Sequence, residues 1–245
     1  MKKMRLDRFL SNAGIGSRKE VKALIKGQRV LVDNNIIRDP GYIIDPTQAK
    51  VMVDNQAVTY KKFYYLMLNK PAGVISATMD NLHQTVVDLL PSQYQHLDLF
   101  PVGRLDKDTE GLLILTNDGQ LAHRVLSPKN RVPKTYYAII EGRVTSEDVD
   151  TFQKGIKLDE DFTTLPAQLS ILKSCDKSEV HVTIVEGKYH QVKRMFEAVG
   201  KKVLYLKRIS MGNLYLDEKL APGQVRELSE HELNLLDMSS CLSNQ

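Results

Sequence analysis

Residues 103–119 read GRLDKDTEGLLILTNDG. A glycine opens a knot of charge made by Arg104, Asp106, Lys107, Asp108 and Glu110, an apolar run fills 111–116, and Asn117-Asp118-Gly119 closes the stretch. A short apolar run bounded by turn residues marks a buried strand. Asn-Asp-Gly supplies turn and N-cap chemistry for a helix over 120–126 that ends before Pro128. Charge crowded at the mouth of a buried strand binds a metal, performs chemistry or faces water. The calcium reading fails: Asp106-x-Asp108-x-Glu110-Gly111 imitates the opening of a calcium loop, but the twelfth position is Asn117 and residues 112–115 are apolar.

Outward from this stretch, strand composition recurs at 63–69, where Lys70-Pro71-Ala72-Gly73 stops it, and resumes at 74–78. Residues 134–141 and the alternating run 180–185 read as further strands. Thr145-x-x-Asp148 has capping spacing and opens a helix ending at Gly155. A helix over 190–199 exits at Gly200, with Val192, Met195, Phe196 and Val199 on its core face. Pro222-Gly223 marks a turn, and Ser229-x-x-Glu232 opens a last helix before a polar tail at 238–245. Strands outnumber helices and strict βαβ alternation is absent. The expected class is α+β, with a mixed, largely antiparallel sheet.

The net charge of +4 is unevenly spread: residues 1–60 carry 11 Lys/Arg against 6 Asp/Glu, and the remaining residues 23 against 24. A basic module on a nearly neutral body points to a polyanionic partner. In that module Leu6, Phe9 and Leu10 recur at helical spacing until Asn12-Ala13-Gly14. Ser17-x-x-Glu20 caps a second helix running to Gly27, with Val21, Leu24 and Ile25 inward and Arg18, Lys22 and Lys26 on another face. Arg5, Arg8, Lys19 and Arg29 add to the basic surface, and a strand running into a turn follows Arg29. The stretch 45–62 reads as the end of this module plus a linker. Three divisions result: a basic module at 1–60, a nearly neutral body at 61–237 and the tail.

Several classes are excluded. There is no G-x-x-x-x-G-K-[ST] phosphate cradle, no G-x-G-x-x-G opening a helix, no G-x-S-x-G elbow and no zinc-spaced histidine pair. The two cysteines, Cys175 and Cys241, are too few for a disulfide framework. A reaction using side chains alone, without metal or cofactor, is expected. The opening residues lack the apolar core of a secretory signal, and no apolar run approaches the roughly 20 residues of a membrane span. A cytoplasmic monomer is expected.

Residues 4–50 resemble the small RNA-binding module first described in a small-subunit ribosomal protein. The stretch 103–119 resembles, almost residue for residue, the signature of pseudouridine synthases of the small-ribosomal-subunit type. NKPAG at 69–73, KTYYAIIEG at 134–142 and EGKYHQVKRMFEAVG at 186–200 stand where that family has its other motifs. The resemblance implies isomerisation of uridine to pseudouridine in 16S ribosomal RNA, within a ribosomal subunit or assembly intermediate. The alternatives are a 23S ribosomal RNA enzyme or a non-catalytic RNA-binding assembly factor.

By resemblance Asp106 is the nucleophile, Tyr136 stacks on the target base and is a candidate acceptor of its C5 proton, and Lys193 pairs with Asp106. Burial favours the neutral acid, so a carboxylate in a site that excludes water needs such a cation to stay ionised. Arg194 competes with Lys193, since successive helical residues point about 100° apart. Tyr137 points to the opposite face of its strand and is read as core. Arg104 is placed to meet a phosphate or fill the space of a flipped base, and His190 to set the helix start near the substrate backbone.

Overall fold

A computed structural model describes residues 3–160 and 162–236. The expected tail at 238–245, the last residue of the 61–237 division and Cys241 lie outside the described residues. Contacts divide the chain into two compact units: residues up to Tyr64 together with Val87–Phe100, and Tyr65–Val86 together with the chain from Pro101 onward. A single cut near residue 60 does not capture this, because Val87–Phe100 groups with the first unit.

The first unit begins with Met4–Arg5 (β1), Leu6–Asn12 (α1) and Arg18–Lys26 (α2). Leu6, Phe9, Leu10, Val21 and Ile25 are buried in one cluster, with Leu24 packed against it. Ser17 accepts the Glu20 N–H and Glu20 reaches back to the Ser17 N–H, the reciprocal cap that the spacing predicts. The exit of α2 differs from expectation. Gly27 keeps a negative φ, and Gln28 takes the left-handed conformation. The N–H groups of Gln28 and Arg29 donate to the carbonyls of Ile25 and Leu24, which satisfies the last turn.

Val30–Val32 (β2), Asn35–Ile36 (β3), Ile43–Ile44 (β4), Val51–Val53 (β5) and Gln56–Ala57 (β6) follow. The stretch 45–62 completes this module before the chain leaves it: β5 pairs with β2 at the centre of a four-stranded sheet ordered β3-β2-β5-β6. Its valines are buried in the cluster beneath α1 and α2. Asp33-Asn34 and Asp54-Asn55 have positive φ, the turn geometry that suits a two-residue hairpin.

The second unit holds Tyr65–Lys70 (β7), with Phe100–Pro101 (β8) at its edge in sequence, then Glu110–Thr116 (β9), Gly119–Leu126 (α3), Lys134–Glu141 (β10), Ser146–Lys154 (α4), Gln168–Lys173 (β11), Lys177–Ile184 (β12), Gln191–Ala198 (α5), Lys202–Met211 (β13), Leu214–Tyr215 (β14), Val225–Glu227 (β15) and Glu230–Leu236 (α6). The sheet runs β11-β12-β10-β13-β9-β7-β15. Every neighbouring pair along that path is antiparallel except β13 and β9, which run parallel. The sheet is thus mixed and largely antiparallel, as expected. The 74–78 segment does not form a strand; Ile75 makes one isolated bridge, to Thr85.

The parallel joint depends on Gly111. It sits opposite Arg208 with φ +100°, and a Cβ there would lie 2.2 Å from the Arg208 carbonyl oxygen. Only glycine tolerates both the conformation and the approach. This joint brings the loop before β9 beside β10 and the α5 entry.

Candidate active site

The loop around Asp106 is fixed from beneath by the end of β7. Lys70 has no exposed surface. Its Nζ donates to the carbonyls of Thr109 (2.8 Å), Pro71 (3.0 Å) and Asp106 (3.1 Å), with the Lys107 carbonyl at 3.3 Å. The Gly73 N–H donates to the Lys107 carbonyl at 2.7 Å. Ser76 Oγ donates to the Leu105 carbonyl (2.9 Å) and accepts the Leu105 N–H (3.0 Å). NKPAG and the residues after it therefore clasp the loop on both sides of Asp106.

The opposite wall is the entry to α5. His190 is held in the left-handed conformation at its N-cap. Gln191 accepts the Lys188 N–H and donates to Glu186, which also accepts the Leu165 N–H. This network aims His190 and Lys193 at one point. His190 Nε2 lies 3.5 Å from Asp106 Oδ1, and Lys193 Nζ lies 3.4 Å from Asp106 Oδ2. Arg194, one residue on, instead reaches Asp159 (3.0 Å) and the Leu158 carbonyl. Lys193 and not Arg194 meets Asp106.

Asp106 opens into a pocket whose lining includes Arg104, Thr109, Tyr136, Ile184, His190 and Lys193. Tyr136 is buried in its wall. Tyr137, on the other face of β10, is half-buried rather than core: its hydroxyl donates to Glu179 and its ring meets His181 and Tyr205. The expected exclusion of water does not hold, because the Asp106 side chain is 30% exposed through the open pocket.

RNA pseudouridylate synthase matches residues 64–198, and the S4 domain matches residues 4–50. The chain belongs to the RNA pseudouridylate synthase family. An uncharacterized RNA pseudouridine synthase of Bacillus subtilis (strain 168) is 51% identical, over 96% of this chain and 98% of that protein. The ribosomal small subunit pseudouridine synthase A of Escherichia coli (strain K12) is 39% identical over 94% and 98%. A crystal structure of a pseudouridylate synthase, 34% identical, superposes with a TM-score of 0.67 over 96% of this chain and all of that one.

Within this synthase fold Lys193 has a nearer partner than Asp106. Its Nζ donates to both carboxylate oxygens of Asp108, at 2.7 and 2.9 Å. The pairing with Asp106 expected from sequence is thus shared. Burial works to lower the Lys193 ammonium, but the Asp108 hydrogen bond and the charges of Asp106 and Asp108 outweigh it and hold the group above its ordinary value. The same hydrogen bond, more than the Lys193 charge, holds Asp108 below the usual carboxylate range.

Three buried residues around the pocket carry no expectation from sequence. Lys70 stands within the NKPAG turn motif. Thr109 is buried in the pocket lining, and its hydroxyl has no hydrogen-bond partner among the described residues. Arg208, opposite Tyr136 on β13, is buried; its Nε donates to the Leu112 carbonyl at 2.8 Å. A lysine ending an apolar strand immediately before proline is the one sequence signal that marks Lys70 as a buried cation.

In the S4 domain, Arg8, Arg18, Lys19, Lys22 and Lys26 are exposed. Arg5 and Arg29 are also exposed but are engaged in ion pairs with Asp7 and Asp54.

Replacing Lys70 by Met leaves buried carbonyls without a donor, and should destabilise the second unit by roughly 3 kcal/mol, read from urea unfolding. The Lys193–Asp108 pair sets a pH signature. Asp108, depressed in the folded state, contributes stability above its ordinary value of 3.8, lost as pH falls through its folded value. Lys193, raised, contributes below its ordinary 10.5, lost as pH rises through its folded value. The unfolding difference between the native protein and Asp108→Asn should therefore be flat between about pH 5 and 9 and shrink below about pH 4.

Proposed function

We propose that the protein isomerises a uridine of small-subunit (16S) ribosomal RNA to pseudouridine, using side chains alone. The observation that carries this reading is one carboxylate, Asp106, within 3.5 Å of two basic side chains in a pocket walled by Tyr136. Relatives at about 40% identity over nearly the whole chain are named for the small ribosomal subunit, which supports that target over the large-subunit RNA.

The isomerisation breaks the bond between sugar C1′ and uracil N1 and forms one between C1′ and C5. The C5 proton leaves, and N1 ends protonated. Asp106 is the catalytic carboxylate, either attacking C1′ or assisting a glycal intermediate. Lys193 pairs with it, Tyr136 stacks on the base, and His190 orients the carboxylate at the substrate backbone. Arg104, exposed at the pocket rim, meets a flanking phosphate or fills the flipped base's space. Arg194 is bound to Asp159 and contributes to the RNA surface rather than to chemistry. The first unit carries the RNA-binding module and the second unit the catalytic domain. The protein acts as a cytoplasmic monomer on a ribosomal subunit or assembly intermediate. Among the described residues no helix is long and apolar enough to cross a membrane.

Asp106→Asn should lower turnover by about 10⁴ while RNA binding persists; tritium release from RNA labelled at uridine C5 measures this, and an active variant refutes the assignment. Arg18→Gln/Lys22→Gln/Lys26→Gln should reduce the slope of log K against log salt by about 2 to 3. An unchanged slope in filter binding would remove α2 from the RNA surface.

A further inference from the structure

Residues 75–86 form a closed loop in the same unit as the Asp106 pocket. At its neck the Ile75 N–H donates to the Gln84 carbonyl and the Val86 N–H to the Ile75 carbonyl, both at 3.0 Å. At its tip the Asp80 carboxylate accepts the N–H groups of Leu82 and His83 at 2.8 Å each. The tip is thus a hydrogen-bonded turn, with its entropy cost already met in the unbound protein. It nevertheless presents Met79 and Leu82 to solvent, 82% and 88% exposed. No other large hydrophobic side chain among the described residues is as exposed.

The neck is bonded to the residues flanking the reactive carboxylate, through Ser76 to Leu105 and Gly73 to Lys107. Met79 is three residues beyond Ser76, so its backbone lies within about 11 Å of that clasp. Charge is segregated around it. Residues 75–86 contain no lysine or arginine, whereas Arg104 and Lys107 beside the neck are exposed cations. Phosphates are drawn to the neck, and the Met79 and Leu82 side chains, on either side of the Asp80 turn, suit the faces of bases. A uridine that enters the pocket must leave its stack and opens a gap there. Apolar side chains inserted between base steps are a known way of holding such a gap.

We propose that Met79 and Leu82 form an apolar wedge that enters the base stack beside the uridine delivered to Asp106. This rests on the isomerase reading above. The wedge lowers the cost of unstacking, so it acts on turnover of stacked substrates more than on affinity, and it positions the base without touching the bonds that change.

The test compares the wild-type protein with Met79→Ser/Leu82→Ser on two RNAs built around the uridine that the wild type modifies in a small-subunit RNA transcript. One is the intact stem; the other carries abasic sites on both sides of that uridine. Both side chains are exposed, so the unfolding midpoint is expected to be unchanged. On the intact stem kcat should fall about tenfold or more, the equivalent of part of an unstacking step. On the abasic-flanked RNA the loss should shrink below about threefold, and Met79→Leu/Leu82→Met should restore turnover on the stem. Equal losses on both RNAs, or none on either, overturn the wedge. If the wild type releases no tritium from any small-subunit RNA, the isomerase reading itself fails and takes the wedge with it.

Discussion

The Lys70 ammonium is wholly buried, and the carbonyls of Pro71, Asp106, Lys107 and Thr109 converge on it. An ammonium has three N–H groups for these four oxygens, so the longest contact, to Lys107, is held mainly by charge and dipole. Carbonyl dipoles aimed at one point repel one another unless a cation sits there. Removing the charge would let the loop splay, and the position of the Asp106 side chain would go with it. Burial pushes the Lys70 amine down to about 8, while the charges of Asp108, Asp106 and Glu110 act the other way. Those acids stand in the very loop that the lysine organises.

On the other side of the pocket the same logic works through helix geometry. His190 accepts a left-handed conformation, rare for a side chain of its size, and the Glu186–Gln191 network holds it there. One α-helical step then separates Lys193 from Arg194, enough to send the first to Asp106 and Asp108 and the second to Asp159. The carboxylate is thereby set between two basic groups while one side stays open to the pocket. Arg208, opposite Tyr136 in the β10–β13 register and with its Nε on the Leu112 carbonyl, ties β13 to β9 at the parallel joint.

The S4 domain shows how a basic stretch sorts itself on folding. Arg5 and Arg29 become partners of Asp7 and Asp54, whereas Arg18, Lys22 and Lys26 stay exposed on α2. Of the nine cations in residues 1–29, Arg5 and Arg29 are thus ion-paired, while Arg8, Arg18, Lys19, Lys22 and Lys26 are exposed.

The elements and their order were legible because their signals are local. Apolar periodicity marks α1, α2 and α5, reciprocal caps mark the starts of α2 and α4, and Asp118 caps α3. The sequence by itself also singled out the carboxylate around which the pocket forms, since four motifs in order carry that resemblance. It missed the central strand Val51–Val53, whose three residues are too few to show alternation, and the grouping of Val87–Phe100 with the first unit. Tertiary structure alone decided which cation meets which acid. Lys193 and Asp108 lie 85 positions apart, and the shared pairing with Asp106 turns on a difference between 2.7 and 3.4 Å. Spacing along a chain specifies helices, strands and caps; it carries no information about such distances, because they arise only when the sheet joins β9 to β13 and sets α5 across from the Lys70-bound loop.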